Sequence, residues 1–444
     1  MTPSEEGAAD VGRHVAVIGA GPSGVYAAED MATRLGWSVD VIDRLPTPYG
    51  LLRYGVAPDH MKMKSLARAL ERVFAHSNVR FFGNVEVGRD IRVEELRARY
   101  DAVIYAVGAP GHRRLGVPGE DLIGVQPATD LVAWYSGHPD AAAPPDLSAA
   151  RSAVVIGAGN VALDVARLLA KSAHELLPTD VPGDVIEALE RSALTDIHIV
   201  CRRGPADVKF TYKELAEMGE LENADVVVHA GEYSLDSEGV MGAQATIIDL
   251  FRQWAERESG RRKSRTVHFH FGLRPERVNG TRGVEAITFG SAGGDQVIPV
   301  DLVVTAIGSF GRAMVDVDFD AGRGVIPHLD GRVQPPSPGL SGEYVVGWIK
   351  RGPSGVIGTN KADAINTVAT VVADLEAAVD TVPHAVTRPF GEDEFGSAVL
   401  WDGWLGIDRA EIAGGAARGA ARVKVATWDQ LLASAGATRG DARS

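Results

Sequence analysis

Two strand–glycine turn–helix units, set far apart in one chain, restrict the folds open to this sequence more than any other feature. The first runs from the apolar stretch His14–Ile18 into GAGPSG (Gly19, Ala20, Gly21, Pro22, Ser23, Gly24) and on into a helix-like stretch to about Leu35. The second runs from Ser152–Ile156 into GAGNVA, Gly157–Ala162, and the helix-like Leu163–Ala170. In such a turn the first glycine (Gly19, Gly157) makes the bend, and the second (Gly21, Gly159) lets backbone approach a pyrophosphate. The third (Gly24) lets the helix pack on the strand, and alanine is an accepted variant there, as at Ala162. The anion would lie at the helix N-terminus, where free N–H groups and the helix dipole favour negative charge. Two such units predict an α/β chain with two Rossmann-like domains.

The next strand after each unit ends in a different chemistry. The strand Ser38–Ile42 ends at Asp43, an acid placed to accept hydrogen bonds from ribose hydroxyls. The strand Ile197–Val200 ends in Cys201, then Arg202 and Arg203. A carboxylate there would repel a 2′-phosphate, whereas arginines bind it through charge-assisted bonds. The second site therefore reads as one for NADP(H), and the economical partner for the first is FAD.

A third stretch, Tyr344–Asn360 (YVVGWIKRGPSGVIGTN), returns to the first unit. Its apolar start predicts a buried strand. Trp348 and the glycines Gly347, Gly352, Gly355 and Gly358 then lead into a helix from about Lys361. A flat aromatic beside bare backbone and a helix start suits a planar, anionic cofactor. The expected organisation is a discontinuous FAD-binding domain, residues 13–110 and 333–444, interrupted by an NADP-binding domain, residues 111–332. Residues 1–12 read as a flexible tail, and the Ala/Gly/Arg-rich Ala413–Ser444 as partly helical at best.

Between these units, the loop RLPTPYGLLRYGVAPDH ends in His60, and Met61–His76 reads as one helix with Lys62, Lys64, Arg68 and Arg72 on an exposed face. Glu214 falls on a probable helix within FTYKELAEM. The run RRKSR, with Arg261, Arg262, Lys263 and Arg265, is conspicuous in a 444-residue chain of net charge −14. It reads either as a solvated loop or as a docking patch for an acidic partner. That net charge argues against a nucleic-acid or anionic-membrane role. No apolar run approaches the roughly 20 residues of a membrane span, so a cytoplasmic location is expected. One cysteine, Cys201, leaves no dithiol to cycle and too few thiolates for a protein-ligated iron–sulfur cluster.

The motifs GAGPSG, LPTPYGLLRYGVAPDH, GAGNVALDVAR, CRRGP and GWIKRGPSGVIGTN, in this order, resemble those of the adrenodoxin reductase type of ferredoxin–NADP(+) reductase, especially actinobacterial members. The resemblance runs from about Arg13 to the C-terminal region and implies a glutathione-reductase-like pair of domains holding FAD and NADP(H). By this resemblance Asp43, Leu51 and Val85 are FAD contacts, and Trp348 with Gly355, Val356 and Ile357 covers the flavin. Asn160 and Val161 form the NADP pyrophosphate turn, Arg202 and Arg203 hold the 2′-phosphate, Arg113 and Glu214 are further NADP contacts, and Gly355 lies near both cofactors. The region around Arg261 would face an acidic ferredoxin. Asp43 stands where relatives often have glutamate, and Ser354 where threonine is usual; both keep hydrogen-bonding capability.

The expected reaction passes hydride from NADPH to flavin N5, then single electrons to a ferredoxin-type iron–sulfur protein, with a cytochrome P450 system as one consumer. The chemistry belongs to the flavin. His60, Glu214 and Trp348 are the side chains nearest a catalytic role, the first two through proton placement. Two alternatives stand beside this: an NADPH-dependent flavin reductase or oxidase acting on a small molecule, and a non-catalytic electron-relay subunit.

Overall fold

The structure is a computed structural model that describes residues 12–257, 263–335, 342–355, 357–379 and 388–437. Its opening strand β1 (His14–Ile18) has Val15, Ala16 and Val17 fully buried in succession. A continuous apolar run, rather than alternation, marks a parallel strand covered on both faces. After α1 (Pro22–Arg34), β2 (Ser38–Ile42) pairs with β1 in parallel, His14 opposite Ser38. Then come α2 (Leu51–Tyr54), α3 (Met61–Lys64), α4 (Ala67–Glu71), β3 (Val79–Phe82) and β4 (Ala102–Tyr105).

The second unit holds β5 (Val125–Pro127), β6 (Ser152–Ile156), α5 (Asn160–Ala170), β7 (Asp196–Cys201), α6 (Tyr212–Met218), β8 (Ala224–His229) and β9 (Arg265–Phe271). A meander of β10 (Arg274–Asn279), β11 (Ala286–Ser291) and β12 (Gly294–Pro299) precedes β13 (Leu302–Thr305). The chain then returns through β14 (His328–Leu329), β15 (Arg332–Val333) and β16 (Gly342–Val345) to the one-turn α7 (Trp348–Arg351). It ends with α8 (Ile357–Val379), α9 (Trp401–Arg418) and α10 (Trp428–Ser434).

Two largely parallel sheets carry the molecule. One has the order β14-β15-β16-β4-β1-β2-β3, the other β5-β13-β6-β7-β9-β8. In each, the glycine-turn strand (β1, β6) lies inside the sheet with its turn at the carboxyl end, where ligands bind in open α/β sheets. β16 pairs in parallel with β4, so the return stretch rejoins the first sheet on the far side of β4 from β1. β14 and β15 belong to that sheet as well, as an antiparallel edge, so it takes in residues from His328 onward.

Two expectations need correction. Met61–His76 is not one helix but α3, α4 and a 3₁₀ turn at Arg72–Ala75. Nor is Lys64 solvated: its ammonium lies 2.5 Å from Asp180 Oδ1, which pins α3 to the second unit. Among the described residues Ala413–Ser444 is partly helical, as expected, with α9 running to Arg418 and α10 over Trp428–Ser434. Trp401 stacks on Phe74 with ring centroids 4.6 Å apart, and Trp404, Ile407 and Leu431 enter the core of the first sheet. Glu411, fully buried on α9, pairs with Arg53 of α2. Lys424 crosses between units, donating to the carbonyls of Arg53 and Ser136. Residues 438–444 lie outside the described residues.

Candidate active site

Close backbone contacts explain the glycines of the first turn. A Cβ at Gly24 would sit 2.1 Å from the Gly19 carbonyl oxygen, and one at Gly19 would sit 2.5 Å from that of Ala106. Gly19 also has φ +112°, open in practice only to glycine. Gly21 by contrast has no atom within 4 Å of where a Cβ would stand, so its open side faces free space. α1 begins there with no side-chain cap, leaving first-turn N–H groups for a ligand.

Three segments close around this turn. Asp43 accepts from the N–H of Ala20 at 2.7 Å and of Leu45 at 2.9 Å. It braces the glycine turn, and burial raises its pKa against the lowering pull of those two bonds. Its carboxylate oxygens keep lone pairs for ribose hydroxyls. Gly347, at φ +76°, passes so near α1 that a Cβ would lie 2.4 Å from Ser23 Oγ. Val85, buried, donates its N–H to the Asp43 carbonyl. Beside them Leu51 is 46% exposed, and the Trp348 indole N–H is buried without an acceptor. An open glycine, an uncapped helix, an uncovered leucine and an orphaned indole N–H fit a large planar, anionic cofactor such as FAD. Gly355 is exposed at φ +85° just before α8; Val356 and the Ile357 side chain lie outside the described residues.

The second turn repeats the pattern. A Cβ at Gly157 would lie 2.5 Å from the Ala306 carbonyl oxygen, while Gly159 faces open space. Asn160 Oδ1 accepts from the Thr211 N–H at 2.9 Å, fixing the turn against α6, and Val161 is 49% exposed. Ala162 is buried, as helix–strand packing requires. Arg202 and Arg203 follow β7, both exposed. Arg203 makes one exposed ion pair with Asp207 at 3.3 Å, and Arg202 has no carboxylate partner among the described residues. Exposed pairs of this kind hold weakly, so both guanidiniums are available to a phosphate. Exposed Arg113 donates its N–H to the Gly308 carbonyl beyond β13 and lies at the same end of the sheet. Cys201 is buried, which pushes its thiol up to about 12, so it is inert.

Where the Asp59–His60 loop meets α5 and α6 lies a charged cluster. His60 Nε2 lies 2.7 Å from Arg167 Nη2, 3.1 Å from Glu214 Oε2 and 3.2 Å from Glu217 Oε2. One nitrogen cannot accept from Arg167 and donate to a carboxylate at once, so its proton decides which partner it bonds. The Glu214 contact raises the His60 pKa, opposed by burial and by Arg167; Glu214 is lowered in return by His60. Arg167, fully buried in α5, is fixed by Asp59 at 2.8 and 3.1 Å and by Asp164 at 2.7 Å. Burial opposes its charge, but those carboxylates outweigh it and hold Arg167 above its usual value. His60, Glu214 and Glu217 could together hold a cation, but the Arg167 guanidinium already supplies positive charge there.

Comparison with known proteins decides the family. A family model described as pyridine nucleotide-disulphide oxidoreductase matches residues 13–315. The chain is 40% identical to the NADPH-ferredoxin reductase FprA of Mycobacterium tuberculosis, over 94% of its length and 98% of that protein's. It is 35% identical to the mitochondrial NADPH:adrenodoxin oxidoreductase of Arabidopsis thaliana, covering 95% of each. It belongs to the adrenodoxin reductase-type ferredoxin–NADP reductases. A solved structure, Mycobacterium tuberculosis FprA in complex with NADPH, superposes with a TM-score of 0.89 at 38% identity, covering 96% of this chain and 99% of that one. The family's two Rossmann-like domains with FAD and NADP(H) are the architecture described above. No helix among the described residues is long and apolar enough to cross a membrane.

The basic run fares differently. Arg265 is buried and donates to the carbonyls of Leu169 and Lys171 at 2.7 and 2.6 Å. The Lys263 ammonium donates to the Leu221 carbonyl. Neither is free to meet a partner, because both complete backbone acceptors of their own unit; Arg261 and Arg262 lie outside the described residues. Asp59, Asp164 and Arg167 lie inside the quoted motifs but carry no role in the sequence reading. The available signal was an arginine amid Leu163, Val165, Ala166, Leu168 and Leu169, since a charge on a buried helix face needs partners.

Proposed function

We propose that this protein is an FAD-dependent NADPH–ferredoxin reductase, with its two nucleotides bound at the two glycine turns. The observation that carries this is the pair Arg202–Arg203, exposed beside an open second turn, together with the acid Asp43 held against the first. Bound flavin supplies the chemistry, taking two electrons from NADPH and releasing them singly. The chain binds and orients. First-turn N–H groups of α1 and α5 face the pyrophosphates, Arg202 and Arg203 take the 2′-phosphate, and Arg113 is a further NADP contact. Trp348 offers its unused indole N–H to the cofactor, and Gly355 lies near both cofactors.

His60 holds or gives up a proton at Nε2, with Glu214 and Glu217 favouring the protonated ring and Arg167 the neutral one. A charge on this ring would tune the nicotinamide site electrostatically. The expected division, residues 13–110 and 333–444 for FAD and 111–332 for NADP, rests on this reading, with the second FAD segment drawn back to His328 by its edge strands, as does an iron–sulfur partner. Of the basic run, Arg261 and Arg262 are left as contacts for that partner. One cysteine and an acidic chain fit a reducing cytoplasmic setting; supply of a cytochrome P450 is a further step of the same reading.

The test is NADPH-driven reduction of purified small ferredoxins by the flavin-loaded protein. Reduction at a rate well above that with oxygen or a quinone alone supports the proposal. Fast quinone or oxygen reduction with no ferredoxin reduction would favour the small-molecule flavin reductase instead.

A further inference from the structure

The segment directly after His60 presents a surface that the proposed chemistry does not use. α3 has no buried residue, and Met61, Met63 and Leu66 are each more than a third exposed within six positions. Lys62, Arg68 and Arg72 are exposed among them, and none has a carboxylate within ion-pair distance among the described residues. Glu71 is the one acid within Met61–Arg72. In a chain of net charge −14, three unpaired cations and three exposed apolar side chains within the twelve residues Met61–Arg72 form a local field of opposite sign.

The segment is held rigidly from below. Lys64 is clamped to Asp180, and Leu70, Val73 and Phe74 are buried under α4 and the 3₁₀ turn. Its N-terminal end is His60 itself, the residue joining the two cofactor units. Small, weak electron-transfer interfaces need an apolar centre close to the redox site and a charged rim that steers the encounter. Methionine suits such a centre because it adapts to a partner's shape.

We infer that the α3–α4 face, with Met61, Met63 and Leu66 at its centre and Lys62, Arg68 and Arg72 at its rim, docks an acidic, one-electron iron–sulfur protein. This rests on the reductase reading above and replaces Lys263 and Arg265 as the partner's contacts. Because the patch adjoins His60, docking there would bring the partner's cluster near the proposed flavin site without covering Arg202 and Arg203.

The experiment compares the flavin-loaded wild type with the charge reversal Lys62→Glu/Arg68→Glu/Arg72→Glu and with Met63→Asp. Two acceptors are used with NADPH: a small acidic [2Fe–2S] ferredoxin and ferricyanide. The expected result is a KM for ferredoxin raised roughly ten-fold or more at low salt, as loss of steering and rim pairing implies. The gap should narrow as salt screens the rim, and ferricyanide reduction should be unchanged. An unchanged ferredoxin KM with both variants would overturn the inference while leaving the reductase reading intact. A wild type that reduces ferricyanide but no ferredoxin would overturn both. A concentration-dependent dimer abolished by Leu66→Lys would overturn it too, assigning the face to a second copy instead.

Discussion

Arg202 and Arg203 stand exposed where a 2′-phosphate would reach them, with one weak competitor in Asp207. A hydrogen bond to a charged group contributes about 1.5–3 kcal/mol, so removing both arginines should raise the NADPH KM roughly 100-fold or more. The NADH KM should stay nearly constant in Arg202→Ala/Arg203→Ala; equal shifts for both cofactors would contradict the assignment. His60 offers a second test. With Glu214→Gln the contact that raises its pKa is lost while burial and Arg167, which lower it, remain. The His60 titration should therefore move to lower pH, measurable by NMR of the ring and by the pH profile of NADPH oxidation. Turn glycines and arginines were legible in the sequence because each position has a narrow physical purpose. Arg167 was not, since Asp59, one of the two carboxylates that fix it, comes from a distant segment that only the fold brings near.

At the scale of elements, every long apolar run read as a strand is one, because parallel strands buried on both faces leave an unbroken hydrophobic signature. The short α3 and α4 were less legible: their inward anchors, Lys64 and Leu70, do not keep one helical period. Another element-scale feature was invisible. β7, β8 and β9 bring His198, His229, His268 and His270 onto one sheet face as a block of four imidazoles. His198 bonds His270 at 3.0 Å and His229 bonds His268 at 3.1 Å, while His229 stacks on His270 at 4.4 Å between ring centroids. Burial and the neighbouring rings push His198 down to about 4 and His270 to about 2. These groups fold neutral and protonate more readily when unfolded, near 6.5, so the unfolded state binds more protons below that pH. Stability should therefore be fully present above about pH 6.5 and fall progressively towards about pH 4 for His198 and about pH 2 for His270. Replacing His270 with Gln should flatten that part of a Tm-against-pH curve, and an unchanged slope would contradict this origin for it.

On the scale of the whole molecule, the C-terminal region ties α9 to α2 and, through Lys424, the first unit to the second, using charges that nothing in their spacing pairs in advance. Arg53 of α2 meets Glu411 of α9, and Lys424 bridges Arg53, Ser136 and Asp180. Burial pushes Lys424 well below its usual pKa, with Asp180 opposing that shift. Breaking a buried pair leaves an uncompensated charge, so Glu411→Ala should cost about 3–5 kcal/mol in denaturant unfolding. A loss below about 1 kcal/mol would mean the pair is solvated in solution. The Ala/Gly/Arg-rich tail reads as only partly helical, and the partners of Lys424 are legible only once the fold is in place.

The most direct measurement is a stopped-flow mix of the purified, flavin-loaded protein with NADPH and, separately, with NADH, following flavin absorbance. Fast bleaching by NADPH and slow bleaching by NADH is the predicted result, and it would support flavin at the Gly19–Gly24 turn and NADP(H) at the Gly157–Ala162 turn together. Equal rates with the two nucleotides would contradict the arginine-based cofactor choice, and a protein that retains no flavin would contradict the first site itself.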